Sequence, residues 1–158
     1  MTPSTLTWTT PMPGDESAAL LDTNVVILRG FLSPGTLHGT LSVSAITLAE
    51  LSAGVHLVPG DSPTAIRERA NRAEILARTE NEFDAIPFGA DAARMFGRLS
   101  AAVRASGRQP RRRIADLMIA ATAAAGGMAL YTMNPDDYAG LGDHVAVLAL
   151  ARPDLGDS

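Results

Sequence analysis

Ala18-Ala19-Leu20-Leu21-Asp22-Thr23-Asn24 is a short apolar run that ends on an acid and two turn-forming residues. Such a run suits a strand buried on both faces of a parallel sheet, although periodicity alone does not separate it from a piece of buried helix. The rest of the chain favours the strand. Residues 41–44 read as a second strand, with Ser44 placed to cap a helix over 45–53 that Gly54 would stop. A loop bearing Pro59, Gly60 and Pro63 leads into a long polar helix over 65–81, then a candidate strand over 84–88 and a helix over 90–106. Residues 114–125 are Ala-rich, lack Gly and Pro, and meet Gly126-Gly127, which predicts a helix with a sharp stop. Residues 128–132 suit a central strand, 134–138 a turn, and 145–150 a last strand. Short strands alternating with helices predict an α/β domain with a largely parallel sheet.

Composition narrows the chemistry. The chain has 158 residues, enough for one domain over 18–150, with residues 1–17 read as a poorly ordered extension and 151–158 as a polar tail. Nearly half the residues are apolar (46%), so a sizeable core can be buried. There is no cysteine, which removes thiol nucleophiles, thiolate zinc sites and disulfides, and fits a reducing cytoplasm. No apolar run approaches the roughly 20 residues of a membrane span, and the N-terminus does not read as a signal peptide. The 13 basic residues are all arginine, and the net charge is −4, which is not the balance of a general nucleic-acid binder. Carboxylates gathered around metal ions would give the same acidic balance.

Ligands of open α/β sheets bind beyond the carboxyl ends of the strands. Asp22 follows one predicted strand, and Asn134, Asp136 and Asp137 follow another; Asp116 opens the Ala-rich helix that feeds the latter, and Glu50 on the earlier helix could join them. Carboxylates pressed together repel unless protons, arginines or cations intervene. Hard cations such as Mg²⁺ are the natural answer, and a bound ion that activates water and polarises a phosphate needs acids rather than histidine. His38, His56 and His144 are scattered without metal-ligand spacing, and no nucleotide-cradling glycine motif is present. Each acid also has a plain structural reading. Asp22 and Asp116 could cap helices, Glu50 could face solvent, and Asp136 and Asp137 could stabilise a turn. Five arginines fall between Arg104 and Arg113, with Arg111, Arg112 and Arg113 directly before the Asp116 helix. They are either a solvated loop or contacts for RNA phosphates or an acidic partner segment.

Four strings together resemble the PIN-domain ribonucleases. Leu20-Leu21-Asp22-Thr23-Asn24-Val25-Val26 resembles the opening strand, and Val43-Ser44-Ala45-Ile46-Thr47-Leu48-Ala49-Glu50-Leu51 the second signature. Asp116-Leu117-Met118-Ile119-Ala120-Ala121-Thr122-Ala123 resembles the third, and Leu130-Tyr131-Thr132-Met133-Asn134-Pro135-Asp136-Asp137-Tyr138 the fourth. The small size is most similar to the VapC toxins of type II toxin–antitoxin modules. The resemblance implies a three-layer α/β/α sandwich and RNA cleavage dependent on Mg²⁺ or Mn²⁺. It also implies a cognate antitoxin, a homodimer and a toxin–antitoxin hetero-oligomer. Asp22, Glu50 and Asp116 match the family's principal acids, with Asp22 and Asp116 expected to bind the principal ion. Asp137 is the expected fourth acid, Thr132 and Asn134 are expected to orient the acids or touch substrate, and Met133 stands where the family often has arginine. A phosphotransfer domain would need an Asp-x-Asp pair after the first strand and a lysine, both missing here. A catalytically silent interaction module, or an RNA-processing nuclease without an antitoxin, would keep the same fold.

Overall fold

A computed structural model of the chain describes residues 18–109 and 113–156. The expected extension over 1–17, Arg111, Arg112 and the last two residues of the tail lie outside the described residues. The elements run β1 (Ala18–Leu21), α1 (Thr23–Leu28), a 3-10 turn (Arg29–Phe31), β2 (Thr40–Ser42) and α2 (Ala45–His56). There follow α3 (Pro63–Glu82), α4 (Ala90–Ala105), α5 (Ile114–Ala125), β3 (Ala129–Thr132), a second 3-10 turn (Pro135–Tyr138) and β4 (Val147–Ala149). The four strands pair in the order β2-β1-β3-β4, and every pairing is parallel.

β1 explains the layering. All four of its residues are buried, and successive side chains of a strand point to opposite faces. Ala18 and Leu20 enter a core with Leu99 and Val103 of α4 and Leu117, Ile119 and Ala120 of α5. Ala19 and Leu21 enter a second core with Val25 and Val26 of α1, Leu51 of α2 and Phe83 at the end of α3. Helices therefore cover both faces, and the sandwich has three layers. None of the described helices is long and apolar enough to cross a membrane.

Three local expectations change. Residues 84–88 form no strand: only Ile86 bridges Ser44, donating its N–H to Val43 O at 2.9 Å and accepting from Ala45 N at 2.9 Å. Pro87 has no N–H to extend that ladder. α2 does not stop at Gly54 but runs to His56, and the Gly54 carbonyl accepts from Arg72 Nη1 at 2.8 Å, tying α2 to α3. The last strand is shorter than 145–150, because Val145 N is engaged by Leu141 O in the preceding turn. α5 spans the expected 114–125 and ends at Gly126, with Gly127 in the left-handed region at φ 65°.

Candidate active site

Parallel pairing brings the carboxyl ends of β1 and β3 to one edge. Leu21 is in register with Tyr131, so the next residues, Asp22 and Thr132, lie side by side, and Asp22 N donates to Tyr131 O at 3.0 Å. Asp22 is 4% exposed and its carboxylate is held by both oxygens. Oδ1 accepts from Thr23 N at 2.8 Å and caps α1, while Oδ2 accepts from the Thr132 hydroxyl at 2.8 Å. The cap and the site are thus the same carboxylate. Thr132 is fully buried, and its oxygen also accepts from Asn134 N at 3.0 Å, which fixes the chain leaving β3.

Glu50 arrives from α2. Ser44 caps that helix by accepting from Thr47 N at 3.1 Å, which orients the face bearing Thr47 and Glu50. Thr23 Oγ1 lies 3.0 Å from Thr47 Oγ1 and donates to Glu50 Oε1 at 2.7 Å. The residue after Asp22 therefore ties the exposed Glu50 to the end of β1.

Asp116 stands in the first turn of α5, a helix with no side-chain cap. A helix N-terminus favours a carboxylate. The Asp116 carboxyl is nevertheless pushed up to about 6, first by burial and then by the charges of Asp22 and Glu50, with Arg113 opposing the rise. Three acids from three separate stretches therefore act on one another at one edge. Among the described residues no three His, Asp or Glu side chains form a ready group for an ion. An ion that keeps most of its waters uses one or two carboxylates, so the Asp22–Asp116 pair with all-oxygen donors fits a hard divalent cation.

Asp137 sits in the second 3-10 turn and is ion-paired with Arg113. Arg108 Nη1 donates to Asp136 O at 2.8 Å, so two arginines of the α4–α5 connection bracket that turn. Between them lies a cavity of about 480 Å³ lined by Arg108, Gln109, Arg113, Leu117 and Asp137. Met133, at the family's arginine position, is 7% exposed and packs in the core with Tyr131. Thr23 and Thr47, which hold Glu50, and Tyr138, buried beside the edge, are residues that sequence reasoning missed. The only signals were hydroxyls one residue past Asp22 and one helical turn before Glu50, and an aromatic after the Asp136-Asp137 pair.

The chain matches the PIN domain family over residues 19–139. It is 35% identical over 141 residues to ribonuclease VapC5 of Mycobacterium tuberculosis, covering 86% of this chain and 96% of that protein. The crystal structure of VapBC-5 from M. tuberculosis, a member of the VapBC family of toxin–antitoxin systems, superposes with a TM-score of 0.66 at 31% identity, covering 85% of this chain and 98% of that one. VapBC2 from Rickettsia felis, solved bound to a DNA fragment from its promoter, shares the fold with a TM-score of 0.60 at 21% identity, covering 84% of this chain and 98% of that one. With its parallel sheet, its acids at the carboxyl edge and this extent of likeness, the chain belongs to the PIN-domain family, within the group of the VapC ribonucleases.

Proposed function

We propose that the chain is a divalent-metal-dependent endoribonuclease, the toxin of a type II toxin–antitoxin pair. The observation that carries this reading is the meeting of Asp22, Glu50 and Asp116 at the carboxyl edge of β1 and β3. Asp22 and Asp116 would hold Mg²⁺ or Mn²⁺, with Glu50 beside them. When bound, such an ion supplies Lewis acidity toward water and phosphate oxygens.

The chain's own residues do the rest. Thr132 and the Thr23 N–H hold the Asp22 carboxyl oriented, so it does not reorganise when RNA arrives. Thr23 holds Glu50 at the mouth, where an exposed carboxylate can orient or deprotonate the attacking water. Arg108 and Arg113, the latter ion-paired with Asp137, would form the rim that meets RNA phosphates. Asn134 stands at the start of the turn after β3, where it would orient the acids or touch substrate, and the products would carry a 5′-phosphate and a 3′-hydroxyl, as hydrolysis of this class leaves them.

The likeness to the two VapBC structures supports a partner antitoxin that would silence the chain in a hetero-oligomer, and a homodimer would be its core. The test is cleavage of a cellular RNA pool by the purified chain with Mg²⁺, with EDTA, and with Asp116→Ala. Cleavage that needs the metal and the carboxyl supports the reading. Activity of Asp116→Ala equal to wild type overturns it.

A further inference from the structure

Tyr138 closes the second 3-10 turn and is 2% exposed. Its ring belongs to the core formed by α4 and α5, where phenylalanine would pack as well. The hydroxyl is a different matter. It is buried, and no described group gives it a hydrogen bond of ordinary length and angle. The ring shares that core with Leu20, two residues before Asp22, and Leu117, next to Asp116; burial first, then the charges of Asp22, Asp116 and Glu50, hold the phenol in its neutral, proton-donating form. A buried hydroxyl left without a partner is destabilising, and native chains rarely retain one without a role. This one sits against an acidic edge whose anions need donors.

We propose that Tyr138 is a positioning residue of the acidic edge, its O–H donating to the Asp22 carboxylate as a third donor beside Thr23 N and Thr132 Oγ1. The inference rests on the reading of Asp22 as an ion-binding carboxylate, and it is specific to a chain with tyrosine at this place. A carboxylate offers about four acceptor sites. Two are taken by Thr23 and Thr132, Tyr138 takes a third, and one acceptor site is left for a cation. The phenol thereby selects one orientation of Asp22 and offsets its repulsion from Asp116.

The test is Tyr138→Phe, which keeps the ring and removes only the oxygen. Titration of Mn²⁺ into the RNA-free protein should show affinity about tenfold weaker than wild type, in the range seen when groups orienting a metal ligand are removed. A second arm uses no metal. Urea midpoints of the metal-free protein are compared for wild type, Tyr138→Phe, Asp22→Asn and the double variant. Loss of the hydroxyl should lower the midpoint in wild type and leave it unmoved in the Asp22→Asn background. Wild-type affinity together with additive midpoints would make Tyr138 a core aromatic only and overturn the proposal. Additive midpoints with weakened ion affinity, or a raised KM for RNA with both arms unchanged, would place the hydroxyl on the ion's surroundings or on substrate and overturn it equally. If the wild-type protein binds no divalent ion, the metal reading falls, and the metal-free cycle still decides the Tyr138–Asp22 contact. If Asp22→Asn does not fold, Asp22→Ser takes its place in the cycle, because serine can still cap α1 and the carboxylate is gone.

Discussion

At the carboxyl end of β1, Asp22 is enclosed by donors: a backbone N–H on one oxygen and the Thr132 hydroxyl on the other. At the start of α5, Asp116 has no such donor among the described residues, and burial with two acidic neighbours raises its carboxyl to about 6. The strand-borne acid has both oxygens held by donors of the protein itself. The helix-borne acid is left to a proton or a cation, despite the favourable end of the helix. Two carboxylates at one edge thus differ in kind: one is a fixed part of the fold, the other is set against its burial and its acidic neighbours.

The sharpest way to break this comparison is to remove each carboxyl in turn. Asp116→Asn should lower RNA cleavage about 10³-fold, and at pH 7 without metal its urea midpoint should be at or above that of wild type. Asp22→Ala should lose activity to a similar extent and also about 1–3 kcal/mol of stability, because a cap and a buried hydroxyl lose their partner. Equal effects of the two on unfolding would erase the contrast.

Acidity sharpens it further. A carboxyl raised in the folded state from 3.8 to about 6 is stabilising relative to its charged form below pH 4. That contribution is lost as pH rises through about 6. The metal-free protein should therefore lose on the order of 1–2 kcal/mol between these limits from Asp116 alone, after allowance for its partial exposure. Since other carboxylates titrate in the same range, the measurement is the difference between wild type and Asp116→Asn in urea at pH 4 and pH 7. A difference independent of pH would contradict the raised acid.

Smaller effects should follow the hydroxyls. Thr132→Val should slow cleavage about tenfold and cost about 1 kcal/mol, since Asp22 Oδ2 and Asn134 N both lose their partner. Thr23→Val, which frees the exposed Glu50, should lower the rate only a few-fold with little change in midpoint. A loss for Thr23→Val as large as for Thr132→Val would mean that the exposed acid is held as firmly as the buried one.

Much of this was legible in the residues. The run into Asp22, the Ala-rich helix of Asp116 and the apolar segment before Thr132 declare themselves by composition, and parallel pairing then forces Asp22 beside Thr132. What was not legible depends on crossing geometry. Thr23 reaches Thr47 and Glu50 because α1 and α2 cross nearby, and hydroxyls carry no periodic signal. Residues 84–88 have the apolar character of a strand, yet Pro87 limits them to one bridge. Tyr138 reads as a core aromatic, and only the surroundings of its oxygen distinguish it from phenylalanine.

The bond between Thr132 and Asp22 spans 110 residues of chain. β1 lies inside the sheet, with β2 on one side and β3, made much later, on the other. During synthesis the first acid leaves the ribosome long before the hydroxyl that holds it. A nascent chain that has released β1, β2 and the α2–α3 hairpin still has one flank of β1 open and no finished charged edge. Products truncated before β3 inherit the same defect. The order of the strands thus acts as a completion check, in which only a chain translated nearly to its end can assemble the edge where Asp22 meets Thr132.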